Sequence, residues 1–170
     1  MKKILTVIGP RPQVIKSAAI TRVVRDVFRG ELEEVVVHTG QHFDANMSSD
    51  FYAEMFLPIP RYQFEVNPSE PLPINQMIQN IQVAVMKESP DALVVYGDTN
   101  STLAGTISAL IEDIPLIHVE AGMRSFNMLM PEEGNRILTD HSSDLLFSPT
   151  KIGVLNLKKE KINLDKVKYC

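Results

Sequence analysis

Apolar residues in this chain fall into short runs that stop at glycine or proline, and amphipathic stretches separate the runs. Residues 3–9 are largely apolar, the pattern of a strand covered on both faces, and Gly9 ends them. Pro12 then suits a helix start, and Val14, Ile15, Ala18, Ala19, Val23 and Val27 recur at helical spacing, predicting a helix over 12–28 with those residues on its core face. Val35–Thr39 reads as a second strand, and residues 46–56 as a second helix with Tyr52 and Phe56 in the core. Pro58, Pro60, Pro68, Pro71 and Pro73 make 57–73 mostly irregular, with at most a short strand over 62–66. Ile74, Met77, Ile78, Ile81, Val85 and Met86 repeat every three or four residues, a helix that stops before Pro90.

The second half repeats this alternation. Leu93–Tyr96 is a buried strand that breaks into Gly97, Asp98 and a hydroxyl-rich helix start at 99–102, the helix itself expected over 102–111. Strand 114–119 runs into Glu120, and Pro131, Glu132 and Glu133 open a helix to about His141. Leu145–Ser148 is a sixth strand, Pro149 and Thr150 start a last helix, and Val167–Cys170 reads as a strand beginning. Strand and helix in turn predict an α/β domain, a doubly wound parallel sheet of Rossmann-like type, over 1–170. In such a sheet ligands lie beyond the carboxyl ends of the strands. If the strands ending at Gly9, Tyr96 and Val119 are neighbours, Arg11, Asp98, Glu120 and Arg124 emerge on one rim.

Composition narrows the classes. A chain of 170 residues, 44% hydrophobic and 22% charged, is an ordinary globular domain. The net charge of −4 is spread without a basic stripe, against a nucleic-acid or anionic-membrane surface. No apolar run approaches the roughly 20 residues that span a bilayer, and Met1 leads directly into a strand rather than a signal peptide, so a cytoplasmic location is expected. One cysteine excludes an internal disulfide framework, and no Cys/His spacing of metal type occurs.

Neither a G-x-G-x-x-G dinucleotide fingerprint nor a G-x-x-x-x-G-K-[ST] loop is present. Arg11, with Lys16 a turn further on, marks either an anion site at a helix start or a pair with a sheet-edge carboxylate. Asp98 is placed to cap the following helix or to act on a ligand. Glu120 follows an apolar strand and precedes residues too small to cover it, so a structural role needs a cation, for which Arg124 is the candidate. Glu132 and Glu133 suit the positive end of a helix dipole, with Arg136 as a surface partner of Glu132. His118 reads as a hydrogen-bonded core residue, and His42 as the histidine placed to meet a ligand. Acids gathered on one rim repel, which lets one serve as base and another as acid, with arginines left to hold a phosphorylated leaving group.

Six stretches carry a resemblance to a known family: Gly9–Lys16, His38–His42, Tyr96–Thr102, His118–Ser125, Pro131–Arg136 and Thr139–His141. In order and spacing they resemble the non-hydrolysing UDP-N-acetylglucosamine 2-epimerases. The resemblance implies a glycosyltransferase-B-like pair of Rossmann-like domains with the site in the cleft. This chain would supply the amino-terminal domain, without the carboxyl-terminal UDP-binding domain. It implies interconversion of UDP-N-acetylglucosamine and UDP-N-acetylmannosamine by anti elimination of UDP to a glycal and re-addition, using neither a nicotinamide cofactor nor an obligatory metal. Asp98, Glu120 and Glu132 match the acid/base carboxylates; Arg11, Lys16 and Arg136 match ligand-contacting cations. Gln41 and His42 match a segment near a second, regulatory UDP-sugar site. The partners implied are UDP-N-acetylglucosamine, the missing carboxyl-terminal half or a partner chain, and a second copy in a homo-oligomer. Asn127–Met130, Gly134 and the 67–73 loop depart from the family pattern.

Overall fold

The computed structural model describes residues 1–41, 49–64 and 74–170. His42, the start of the second predicted helix, and residues 65–66 of the predicted short strand lie outside the described residues. Among the described residues seven strands form one parallel sheet: β1 Lys2–Ile8, β2 Leu32–His38, β3 Tyr62–Gln63, β4 Ala92–Tyr96, β5 Leu116–Val119, β6 Leu145–Ser148 and β7 Val167–Tyr169. Their order is β3-β2-β1-β4-β5-β6-β7. The chain winds from β1 toward β2 on one side and resumes at β4 on the other, so a topological switch point lies between β1 and β4.

The helices are α1 Arg11–Asp26, α2 Ser49–Glu54, α3 Ile74–Glu88, α4 Asn100–Ile111, α5 Pro131–Ser142 and α6 Lys151–Lys159. Successive strand side chains point to opposite faces, which divides the core in two. Leu5, Val7, Val35, Val37, Leu93 and Val95 pack with Met77, Ile81 and Ala84 of α3 and Ala104 and Ala109 of α4. Ile8, Val36, Val94 and Tyr96 pack with Val14 of α1 and with Phe51 and Tyr52 of α2. No described helix is long and apolar enough to cross a membrane.

Several boundaries shift for identifiable reasons. β2 begins at Leu32 rather than Val35 because its early charges find partners: Glu33 lies 3.1 Å from Arg61, and the Thr6 hydroxyl donates to Glu34 at 2.6 Å. α4 begins at Asn100 because Thr99 and Thr102 cap it reciprocally, each side chain bonding the other's backbone N–H. Capping therefore falls to Thr99 and leaves Asp98 free of that task. Phe56 is a correction: it follows α2 in a left-handed conformation and is 72% exposed, while Tyr52 is buried. The face of α1 is another. Its buried side is Gln13, Val14, Ser17, Ala18, Thr21 and Val24, whereas Ile15, Val23 and Val27 face outward.

Candidate active site

Three strand-to-helix turns build the rim. After β4, Gly97 adopts a φ of +64°, and a Cβ placed there would lie 3.3 Å from Glu120 Oε2. The Glu120 carboxylate thus lies against the turn that carries Asp98. Glu120 itself has a φ of 81°, a left-handed conformation that costs a non-glycine residue about 1–3 kcal/mol. Its N–H and that of Ala121 donate to the Phe147 carbonyl at 3.0 and 2.9 Å, which pins the turn to β6. The Lys16 ammonium of α1 donates to the Glu120 carboxylate. Lys16, not Arg124, is the cation that balances Glu120.

Asp98 is held from α5. Arg136 Nη2 lies 2.5 Å from Asp98 Oδ2, and Asn135 Nδ2 donates to the Asp98 carbonyl at 2.9 Å. Arg136 Nη1 donates to Glu133 at 2.9 Å, so Glu133 and Asp98 replace Glu132 as its partners. Burial opposes the charge on Arg136, but Asp98 and Glu133 outweigh it and hold the guanidinium above its ordinary pKa. Glu132 is exposed. It lies one helical turn before Arg136 on the same face of α5, the usual consequence of a four-residue spacing.

Glu133 does more than face a helix dipole. It is 1% exposed and accepts from the Ser125 N–H at 2.9 Å, the Ser125 hydroxyl at 2.8 Å and the Phe126 N–H at 2.9 Å. Burial alone would raise its pKa; those donors and Arg136 bring it down to about 2. It ties the β5–α5 loop to the helix carrying Arg136. A signal was present in the chain, because a glutamate at the third helical position often reaches back to free backbone N–H groups.

Arg124 turns away from the rim. Its side chain is 1% exposed; Nη1 donates to Asp140 at 2.7 Å, and Nε and Nη2 donate to Glu160, each at 2.7 Å. Asp140 also accepts from the Gly122 N–H at 3.0 Å and faces His118 Nδ1 at 2.7 Å, and His118 Nε2 lies 2.8 Å from the Gly97 carbonyl. Burial pushes the Asp140 carboxyl up, but His118 and Arg124 prevail and hold it below the usual range. His118 is the buried, hydrogen-bonded core histidine expected. The network braces from beneath both turns that carry Asp98 and Glu120.

Arg11 forms no ion pair among the described residues; its guanidinium lies 4.8 Å from the centre of the Phe51 ring. Gln41 turns to the crevice floor, where its Oε1 accepts from the Ser101 N–H at 2.9 Å and the Ser101 hydroxyl at 2.7 Å. Thr39 Oγ1 is 2.7 Å from the same hydroxyl, and a Cβ at Gly9 would come 2.1 Å from it, so only glycine fits there. The rim therefore presents Lys16 with Glu120, Asp98 with Arg136, and Arg11. Opposite charges meet there, rather than the mutually repelling acids expected.

The family model described as UDP-N-acetylglucosamine 2-epimerase matches residues 27–169. The chain is 48% identical over 159 residues to the UDP-2,3-diacetamido-2,3-dideoxy-D-glucuronate 2-epimerase of Pseudomonas aeruginosa, covering 93% of this chain and 44% of that protein. It is 39% identical over 166 residues to the UDP-N-acetylglucosamine 2-epimerase of Methanocaldococcus jannaschii, covering 97% of this chain and 44% of that one. The solved structure of a Methanocaldococcus jannaschii UDP-GlcNAc 2-epimerase in complex with UDP-GlcNAc and UDP superimposes with a TM-score of 0.90 at 40% identity, over 98% of this chain and 46% of that one. The chain thus spans less than half the length of these relatives. By the extent of the match and the identity of its relatives, it belongs to the UDP-N-acetylglucosamine 2-epimerase family.

Proposed function

We propose that this chain is the amino-terminal catalytic half of an epimerase that interconverts UDP-N-acetylglucosamine and UDP-N-acetylmannosamine. Inverting C2 requires its proton to leave one face of the sugar and return to the other. That proton is weakly acidic, so anti elimination, in which the C2–H and C1–O bonds break together and UDP departs, gives a neutral glycal in place of a carbanion. Re-addition of UDP at C1 with protonation of C2 from the opposite face completes the exchange. The chemistry needs acid/base groups on both faces and cations for the diphosphate. Positioned proton transfer is worth roughly 10²- to 10⁴-fold in rate.

The observation that carries the reading is the convergence of Asp98 and Glu120 at the ends of adjacent strands, each matched to a cation from a distant element. Asp98, Glu120 and Glu132 are assigned the proton transfers. Arg11, Lys16 and Arg136 are assigned the charge of the sugar nucleotide. Arg124 supports the site from below, and Gln41 and His42 belong to the regulatory segment. The carboxyl-terminal half completes the uridine and diphosphate site.

A second reading concerns the sugar. The 48%-identical relative acts on a diacetamido-glucuronate, whose extra carboxylate calls for a cation. Arg11, without a carboxylate partner among the described residues, suits either that group or a phosphate. A third outcome is that the half-chain binds sugar nucleotide without turning it over. The test supplies the carboxyl-terminal half and follows C2 deuterium incorporation from heavy water into both nucleotide sugars, with calorimetric titration of the chain alone. Deuterium in UDP-N-acetylglucosamine supports the first reading, deuterium in the glucuronate alone supports the second, and heat without exchange leaves a binding module.

A further inference from the structure

Gln13 occupies the first turn of α1 and is 2% exposed. Its amide spans the switch point. Oε1 accepts from the Gly9 N–H at 2.8 Å, at the end of β1. Nε2 donates to the Tyr96 carbonyl at 2.6 Å, at the end of β4, and lies 3.0 Å from both Thr99 Oγ1 and Thr102 Oγ1, the pair that caps α4. The backbone ladder between the two strands runs only over Ile4–Thr6 against Ala92–Val94. The strand ends that deliver the rim residues have already parted when they reach the crevice, and the Gln13 side chain bridges them there.

We propose that Gln13 is a positioning residue for the reaction described above, an inference that rests on that reading. On one side it holds the turn and helix that carry Arg11 and Lys16, and through Lys16 the Glu120 carboxylate. On the other it holds the turn that carries Asp98. Its amide sets the span between the two acid/base groups without touching substrate. A misplacement near 1 Å between reacting groups costs about 10²-fold in rate.

The test uses Gln13→Met and Gln13→Glu in the chain completed by a carboxyl-terminal half, with steady-state kinetics of C2 exchange and thermal melts. Methionine keeps the length and loses every hydrogen bond. The expected result is a cooperative melt, a kcat lowered about 10²-fold and a KM little changed. Glutamate keeps the acceptor for Gly9 but must retain its proton to donate to Tyr96 O. The groups against it are neutral (the Gly9 amide, the Tyr96 carbonyl and the two threonine hydroxyls), and the charged residues flanking them are Arg11 and Lys16 on α1 and Asp98 beside Thr99. Burial among neutral groups favours the protonated form, so Gln13→Glu should work near neutrality and lose rate as pH rises. Wild-type kcat in Gln13→Met overturns the proposal. If that variant fails to fold, a Gln13→Glu pH profile superimposable on wild type overturns it instead, and alkaline loss supports it. Absence of exchange in the wild type sinks the epimerase reading itself, a result distinct from either.

Discussion

Asp98 and Arg136 stand 2.5 Å apart although one sits in the turn after β4 and the other lies 38 residues on, in the second turn of α5. Arg136 also holds Glu133, so a single planar guanidinium links the acid at the rim to the loop after β5. Lysine carries the same charge as a point and lacks the fork that serves two carboxylates at once. Arg136→Lys should therefore fold and lose turnover about 10²-fold through misplacement of Asp98. Kinetics of C2 exchange check the rate, and a melt checks the fold.

Glu133 gives a pH dependence with a defined sign. Its carboxyl is held down at about 2 in the folded chain, below the unfolded value near 4.3. A depressed pKa contributes stability that is fully present above the unfolded value and is lost as pH falls through the folded one. Glu133→Gln should be destabilised by about 1.5–3 kcal/mol at neutral pH, the scale of hydrogen bonds to a charged group. Its deficit against wild type should shrink between pH 5 and pH 2. Urea melts across that range check it, and a constant deficit would contradict the assignment.

Asp140 makes the opposite kind of case from the rim acids. Wholly buried between His118, Arg124 and the Gly122 N–H, it braces two turns and faces no solvent. Asp140→Asn leaves Arg124 paired with Glu160 alone and takes the charged acceptor from the Gly122 N–H and His118, a cost of about 1.5–3 kcal/mol, the scale of a hydrogen bond to a charged group. Denaturant unfolding should show that loss, and C2 exchange in the fraction that stays folded should also fall, because the turns carrying Asp98 and Glu120 lose a brace.

Gly9 tests the crevice floor. Gly9→Ala drives a methyl group against the Ser101 hydroxyl, which is itself tied to Gln41 and Thr39. The expected cost is about 1–3 kcal/mol, typical of overpacking. Gly9→Ala with Ser101→Ala, which removes the obstructing oxygen, should recover part of it in the same melt.

Much of the fold was legible because β1, β2, β4, β5 and β6 each contain a short apolar run with a glycine or polar stop, and the shared form of β1, β4 and β5 suggested the adjacency that the strand order has. The rim positions of Asp98 and Glu120 followed from that order. Their partners did not. Lys16 lies 104 residues from Glu120, and no local periodicity reports a contact of that span. Arg124, near Glu120 in sequence, was the natural candidate, yet its side chain leaves the turn toward α5 and α6, where Asp140 and Glu160 satisfy it. Helix α1 misled in another way. Its buried face sets Gln13, Ser17 and Thr21 beside Val14, Ala18 and Val24, so hydrophobicity alone found Val14 and Ala18 but also pointed to Ile15, Val23 and Val27, which face outward.

The most direct test of the account is C2 deuterium exchange into UDP-N-acetylglucosamine by the completed protein and its Asp98→Asn, Glu120→Gln and Glu132→Gln forms, each with its melt. The account predicts exchange in the wild type and, in each variant, a rate at least about 10²-fold lower with the fold retained. Exchange at the wild-type rate in these variants, or losses that track unfolding, would contradict it.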